Sequence, residues 1–265
     1  MIPREHTATF AMDRLPGRLV CRRGDIPLER VLDALDAPGE LLKASAKSRI
    51  RRVGDWVLKG GGTGPIATLK RSILRARYRQ GWMAACHLER HGVQAPRPYA
   101  FIEYGRLGII TRNILIMEYL DGCRNVEHFA DAQLESGWRE ADVAAYLDAL
   151  ADAVNGLCAS GAYHTDLAGK NILTRDGTSF WFIDLDGIQL NRPYTEQMRL
   201  RNHVQLYDSL CDRWDDRLLE PFIRRMLPEP ARLADWMSAV RRAQTVRRAR
   251  TLAIWHTTGQ SESRG

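Results

Sequence analysis

A polar segment in the second half of the chain carries side chains that could bind a divalent cation and move a proton. An acid at Asp166 is followed five residues later by an amide at Asn171, and a second acid, Asp184, ends the apolar run 180–183. Carboxylate and amide oxygens are hard ligands of the kind that Mg²⁺ takes while it keeps phosphate oxygens in its shell. The remaining acid could accept the proton of an attacking hydroxyl. This spacing predicts a metal-dependent site that acts on a phosphate.

Each half of this pattern also has an ordinary structural explanation. Asp166 could cap a turn, and Asp184 could simply end a strand. Both acids occur in this order with a predicted hairpin between them, and this combination favours a functional site over two independent structural roles.

The elements that must position these residues can be read from the hydrophobic periodicity. A long amphipathic helix is predicted over 138–160, and Gly161 follows its end. A hairpin is predicted next, with strands at 171–174 and 179–185 around a turn at Asp176-Gly177. Asp184 would therefore emerge at a strand end beside the Asp166 loop.

The rest of the chain predicts a strand-rich first half and a helical second half. A short helix is predicted over 25–36, and strands are predicted over 41–53, 55–59, 99–104 and 107–119. A longer helix is predicted over 66–91, and three helices over 194–256. The predicted fold class is α+β with two lobes, a small β-rich lobe over 1–120 with an N-terminal extension and a helical lobe over 121–265.

Charge is concentrated in two places. Of the 39 basic residues in this chain of 265 with net charge +7, eleven lie between Lys43 and Arg79 together with one acid. A second cluster lies on the predicted C-terminal helix and consists of Arg241, Arg242, Arg247, Arg248 and Arg250. Positive faces suit anionic lipid, phosphorylated glycolipid or nucleic acid, but no nucleic-acid module is recognised, so no nucleic-acid partner is expected. The C-terminal helix could lie at a membrane surface or pack on the helical lobe.

Cysteine usage and hydropathy predict a cytoplasmic protein. The five cysteines are widely spaced and form no CxxC pair, which is typical of reduced, mostly buried thiols. The first 20 residues lack the apolar stretch of a secretory signal, and the apolar segment 107–120 is too short to span a bilayer.

The motif His-x-Asp-Leu-x-x-x-Asn over 164–171, with the later Asp184, resembles the catalytic loop and metal-binding motif of the protein-kinase-like superfamily. The resemblance implies that Asp166 is the catalytic base and that Asn171 and Asp184 bind Mg²⁺. It also implies that His164 packs the loop and that Lys170 steadies the transferring phosphoryl group.

The same resemblance implies a set of ATP-binding residues in the first half. Lys59 ends a predicted strand at the place of the phosphate-gripping lysine, and segment 115–120 resembles the hinge that meets adenine. No G-x-G-x-x-G precedes Lys59, so the small polar loop 43–48 is the candidate phosphate loop. The implied nucleotide-binding residues are Lys59, Ser45, Lys47, Met117, Glu118 and Leu120.

A finer resemblance is to the Kdo/heptose kinases of the lipopolysaccharide inner core. It is carried by segments 82–93, 163–171, 183–186, 198–202 and 206–210. It implies ATP- and Mg²⁺-dependent phosphorylation of a Kdo or heptose hydroxyl by a protein at the cytoplasmic face of the inner membrane, in contact with its anionic surface. The oligomeric state is not indicated.

One position departs from that family pattern. The family usually carries a glutamate before the tryptophan of the 66–91 helix, to pair with the lysine, and this chain has Gly81 there. Glu89 lies two turns further along, so either Lys59 is held another way or activity is reduced. The alternatives are another small-molecule or protein kinase of this fold, or a catalytically weak kinase-like binding protein.

Overall fold

The chain folds into two compact units. The computed structural model describes residues 9–45, 48–61, 77–106 and 109–258. The first unit comprises Met1–Cys123 together with Trp181–Asn191, and the second comprises Arg124–Phe180 together with Arg192–Gly265. Packing units of this kind do not fix a domain boundary, so the predicted division at residue 120 stays a prediction.

The first unit is built on an antiparallel sheet of seven strands, in the order β1-β2-β6-β7-β5-β4-β3. The strands are β1 (Phe10–Leu15), β2 (Arg18–Arg23), β3 (Glu40–Ala44), β4 (Ser48–Val53), β5 (Trp56–Gly61), β6 (Pro98–Arg106) and β7 (Ile109–Glu118). The unit also contains helices α1 (Leu28–Asp36) and α2 (Arg77–Arg90).

The two faces of this sheet bury different residues. On one face, Val31 and Ala34 of α1 share a core with Trp56 and Leu58 of β5. On the other face, Tyr78 of α2 packs with residues of β6 and β7. Successive residues of a strand point to opposite faces, so Lys59, which follows Leu58, lies on the α2 face. Its ammonium lies 5.8 Å from the ring centroid of Tyr78, in agreement with that placement.

The second unit is mainly helical. Its helices are α3 (Val126–Glu135), α4 (Glu140–Ala159), α5 (Glu196–Leu210), α6 (Asp216–Arg225) and α7 (Leu233–Thr258). The second unit also contains the short strands β8 (Arg124–Asn125), β9 (Ala162–His164) and β10 (Ile172–Thr174). Strand β11 (Phe180–Phe182) begins at the last residue of this stretch of the unit, and β12 (Ile188–Leu190) belongs to the first unit. Tyr146 of α4 centres an aromatic core, with four ring neighbours at 5.4–5.8 Å (Phe129, Trp138, Phe180 and Trp214). This packing fixes α4, which leads into the Asp166 loop.

Most predicted elements agree with the structure, but the prediction of one strand over 41–53 was wrong. This segment contains two strands, β3 and β4. Residues 10–23 form a hairpin that was not predicted. The first part of the predicted 66–91 helix, up to residue 76, lies outside the described residues.

A buried histidine makes the stability of the second unit depend on pH. His203 of α5 is 2% exposed, and its Nδ1 accepts a hydrogen bond from Trp236 Nε1 at 2.9 Å. Burial, with a smaller contribution from the charge of Arg199, lowers the pKa of His203 from 6.5 to about 3. The unfolded chain therefore binds a proton below pH 6.5 that the folded chain does not, so the free energy of unfolding should decrease as the pH falls from 6.5 towards 3. The expected slope from this group is at most about 1.4 kcal/mol per pH unit.

Urea unfolding of the wild type and of His203→Gln at pH 7.5, 6.5 and 5.5 measures this contribution. The variant should be less stable at pH 7.5, but its stability should decrease less steeply below pH 6.5. Equal slopes for the two proteins would contradict the assignment.

Candidate active site

Lys59 is paired with two carboxylates in the first unit. Its Nζ lies 2.6 Å from Asp184 Oδ1 and 2.6 Å from Asp186 Oδ1. The Lys59 side chain is 12% exposed, Asp184 is 36% exposed and Asp186 is 1% exposed. The structure thus brings together two of the predicted site residues, Lys59 and Asp184, and adds an acid that the prediction did not include.

These charges keep Lys59 protonated. Burial alone would lower the pKa of Lys59, but the nearby charges of Asp186 and Asp184, and hydrogen bonds to both, outweigh it and raise the pKa above its usual value. The lysine is therefore a permanent cation, as a group that binds phosphate oxygens must be.

The backbone at Asp184 explains how two acids so close in sequence reach one ammonium. Asp184 follows β11 and has a left-handed backbone, with φ of 58° and ψ of 44°. A 3₁₀ turn over Leu185–Gly187 follows, in which Gly187 N donates to Asp184 O at 2.9 Å. Non-glycine residues rarely adopt positive φ, and such residues are frequent at functional sites.

The second unit holds the other two predicted groups together. Asn171 Nδ2 donates to the backbone oxygen of Asp166 at 2.8 Å and to its Oδ2 at 3.0 Å. Lys170 Nζ lies 3.3 Å from the same Oδ2. Asp166 is 40% exposed, and its carboxylate remains open to an incoming hydroxyl. Since the Nδ2 of Asn171 is engaged, its Oδ1 is the atom that can face a cation.

Buried polar contacts fix the loop that carries Asp166. His164 is fully buried, and its Nδ1 accepts a hydrogen bond from Asp166 N at 3.2 Å. Gln205 of α5, which is 3% exposed, accepts from Leu167 N at 2.9 Å and donates to Thr165 O at 3.1 Å. Gln205 could not be predicted, because no local signal connects residues so far apart. The contact of His164 agrees with the packing role that the family resemblance implies.

The oxygen donors present fit Mg²⁺. Among the described residues, no group of three or more His, Cys, Asp or Glu side chains could hold a metal ion. Mg²⁺ does not need such a cage, since it is usually bound by one or two carboxylates together with substrate phosphates and water. The Asp184 carboxylate in the first unit is a donor of that kind, and so is the Asn171 amide oxygen in the second unit.

The predicted nucleotide-binding residues are placed in the first unit. Ser45 follows β3 and is exposed, and its Oγ accepts from the backbone N of Ser48, the first residue of β4, at 3.1 Å. Lys47 lies outside the described residues. Met117 pairs across the strands with Val57, on the same face as Lys59. Glu118 ends β7 and its N–H donates to Arg97 O at 2.9 Å, while Leu120 follows the strand and is half-buried. Their contact with adenine stays a prediction.

The acid of helix α2 is engaged elsewhere. Glu89 Oε1 and Oε2 accept from Arg23 Nη1 at 2.7 and 2.8 Å. Glu89 is therefore the partner of Arg23, and Lys59 is held by the two aspartates of the 184–186 segment. The absence of an acid at position 81 therefore does not leave Lys59 without a carboxylate partner.

Several residues of the two basic clusters have partners within their own unit. Arg79 forms an ion pair with Glu103, and Arg52 lies 3.8 Å from the ring centroid of Tyr119. On α7, three arginines pair with acids of the second unit: Arg241 with Asp216 and Glu220, Arg247 with Asp208, and Arg248 with Asp208 and Asp212. Helix α7 therefore packs through these arginines, which leaves Arg242 and Arg250 exposed.

Comparisons with known proteins give a family and a fold. Residues 59–237 match the lipopolysaccharide kinase (Kdo/WaaP) family. No curated protein matches the chain in sequence. A solved structure described as "WaaP in complex with acyl carrier protein" is 20% identical, covers 83% of this chain and 95% of its own, and has a TM-score of 0.66. A second, "WbdD", is 18% identical over 79% of this chain and 51% of its own, with a TM-score of 0.46. The first of these confirms the predicted α+β, kinase-like fold.

Proposed function

The chain belongs to the lipopolysaccharide kinase (Kdo/WaaP) family, and from that membership we propose that it transfers the γ-phosphoryl group of ATP to a hydroxyl of an inner-core Kdo or heptose. The contact that carries this proposal is the ion pair of Lys59 with Asp184, at 2.6 Å. The family match begins at Lys59 and includes both residues. Residues 125 positions apart in sequence are thus paired in the way that phosphate and metal binding would require.

The roles that we propose follow from the charge and exposure of each group. Lys59, a permanent cation, orients the nucleotide phosphates. Asp184 and the Oδ1 of Asn171 hold Mg²⁺, which when bound neutralises charge on the phosphates. Asp166 accepts the proton of the sugar hydroxyl, and Lys170, 61% exposed beside it, steadies the phosphoryl group. Proton removal and charge stabilisation are thus assigned to separate residues.

Phosphorylation of defined acceptors tests the proposal. The protein would be incubated with ATP, Mg²⁺ and purified lipopolysaccharide cores that end in Kdo or that also carry heptose, and the products would be weighed. We expect one added phosphate on at least one core and none without ATP. Phosphate transfer to neither core, by protein that binds ATP, would overturn the acceptor and favour another small-molecule or protein substrate.

The alternative function is that of a catalytically weak binding protein, because Gly81 replaces the acid that usually pairs with the lysine. This alternative assumes that Lys59 has no acidic partner, but two carboxylates lie within 2.6 Å of its Nζ. Family membership and these contacts support the kinase. A thermal-shift measurement with ATP, with and without Mg²⁺, should show stabilisation by the nucleotide, whereas a binding protein of the other kind would show no shift.

We also propose a peripheral position on the cytoplasmic face of the inner membrane, since the acceptor is a glycolipid. No helix in the described part of the chain is long and apolar enough to cross a membrane. The exposed basic residues Lys43, Arg49, Arg242 and Arg250 would face anionic lipid. The protein should sediment with vesicles containing phosphatidylglycerol but not with phosphatidylcholine alone, and added salt should weaken binding. Equal binding to both vesicles would contradict this placement.

A further inference from the structure

We propose that Asp186 is a positioning residue for Lys59, and that helix α2 packs closely against the Asp186 segment at Gly81. The proposal rests on the proposed function, in which Lys59 binds nucleotide phosphates. It assigns a role to an acid outside the predicted set.

The two carboxylates that hold Lys59 differ in what they can do. Both lie 2.6 Å from its Nζ, but Asp184 is 36% exposed and Asp186 is 1% exposed. An exposed carboxylate can exchange its lysine for a metal ion from solution. A buried one cannot lose its cation without a large desolvation penalty, so it keeps the ion pair. Asp186 is therefore the constant partner, and Asp184 is the carboxylate that can exchange this ion pair for Mg²⁺.

Helix α2 approaches the Asp186 backbone at Gly81. A Cβ on Gly81 would lie 3.4 Å from Asp186 N, 3.6 Å from Asp186 Cα and 3.2 Å from Leu115 Cδ2. Leu115 is itself 1% exposed, so it has little room to move. A Cβ at this position would therefore press on Leu115 and touch the Asp186 backbone at ordinary van der Waals distance.

The glycine is not required by the helix itself. Gly81 lies inside α2 and is not among the residues with positive φ, and glycine within a helix is destabilising relative to alanine. At this position α2 packs against the Leu115 side chain and the Asp186 backbone, so even a Cβ would be in contact with both.

Contacts on both sides of the turn fix Asp186 relative to Lys59. Gln80, the neighbour of Gly81, donates from Nε2 to Ile188 O. Upstream, Phe182 N donates to Gln94 O at 3.1 Å. The segment that carries Asp186 is therefore held between two hydrogen bonds to α2 and the loop after it. Because Asp186 is held in place, its ion pair also fixes the position of the Lys59 ammonium.

The test measures nucleotide affinity, which does not depend on the acceptor. Asp186→Asn keeps the shape of the side chain but removes its charge. We expect the affinity for Mg²⁺ and AMP-PNP, measured by calorimetry, to decrease about tenfold or more. In turnover, KM for ATP should rise and kcat should fall, while KM for the lipopolysaccharide core stays unchanged. A purely structural role would not produce this split.

A matched control separates Lys59 positioning from the loss of any ion pair. Asp13 pairs with Arg22 at 2.8 Å on β1 and β2 of the same unit. Asp13→Asn should keep the wild-type affinity for AMP-PNP. Wild-type affinity in folded Asp186→Asn, or an equal loss in both variants, would overturn the proposal.

A double-mutant cycle tests whether Asp186 acts through Lys59. Lys59→Met removes the cation, so in that background Asp186→Asn should cause no further loss of AMP-PNP affinity. Losses that add in the double variant would overturn the proposal. Asp186→Asn leaves Lys59 paired with Asp184, so this single variant has no unpaired buried charge and should fold.

Gly81→Ala changes the packing of α2 on the Asp186 segment from the side of the helix. It should decrease AMP-PNP affinity, whereas Gly156→Ala, at an exposed position of α4 with nothing within 4 Å of the added Cβ, should not. Equal affinities for both alanine variants would contradict the part of the proposal that concerns packing of α2 on the Asp186 segment. Wild-type protein that binds AMP-PNP but phosphorylates no lipopolysaccharide core would refute the proposed acceptor and leave these affinity comparisons valid.

Discussion

Asp166→Ala should abolish phosphoryl transfer while the protein still binds ATP. The carboxylate of Asp166 is the part of the loop open to an incoming hydroxyl, whereas its backbone is held by His164 and Asn171. Removing a general base typically costs about 10²- to 10⁴-fold in rate. The measurement is kcat with a lipopolysaccharide core, together with the dissociation constant for Mg²⁺ and AMP-PNP.

Asp166→Asn is the matched variant for this experiment. It keeps the size of the side chain and an oxygen that can accept from Asn171, but it cannot take a proton at neutral pH. Both variants should lose turnover to a similar extent and keep nucleotide affinity within a few-fold of wild type. Full activity in either variant would remove Asp166 from the mechanism.

Asp184→Asn should lose phosphoryl transfer without a large loss of stability. Asp184 is more than a third exposed, and Lys59 keeps the ion pair with Asp186 when it is removed. Loss of the proposed metal ligand should decrease kcat by about 10²-fold or more, since charge stabilisation of this size is typical of catalytic electrostatic groups. Thermal melting should remain close to that of the wild type.

The nucleotide distinguishes this variant from a misfolded one. ATP with Mg²⁺ should stabilise the wild type much more than ATP alone, and Asp184→Asn should lose this difference between the two conditions. If Mg²⁺ still enhances stabilisation by ATP in the variant to the wild-type extent, the metal is held by other residues.

The sequence was sufficient for the part of the site that depends on local spacing. Asp166 and Asn171 are five residues apart, in a loop between a long amphipathic helix and a short strand, so their contact follows from local structure. The pairing of Lys59 with Asp184 could not be predicted from local spacing, because the two residues are 125 positions apart. Their pairing could be expected only from the order of motifs that the family resemblance supplied.

Asp186 was missed because burial is not visible in a short motif. In the sequence it is an acid two residues after Asp184, beside an apolar residue, and a surface turn would look the same. A signal was nevertheless present, since the segment 183–186 is one of those that carry the family resemblance, and Asp186 was the acid in it to which no role was assigned.

The N-terminal hairpin was missed for a different reason. The segments 10–15 and 18–23 are joined by Pro16 and Gly17, and Gly17 has a φ of 71°, which suits a tight turn. Charged residues occupy both strands, so the hydrophobic alternation that indicates a strand is weak. One ion pair between the strands, Asp13 with Arg22, accounts for two of those charges.

The first unit is composed of two stretches of chain, which has a consequence for its synthesis. Residues 1–123 leave the ribosome before 124–180, but the unit also needs 181–191. At about 5–20 residues per second, that last stretch follows residue 123 by several seconds or more. During this interval the nascent chain has Lys59 but neither Asp184 nor Asp186, so its ammonium must stay in water. The unit that is translated first therefore completes its folding only after most of the Asp166 loop and helix α4 have been made.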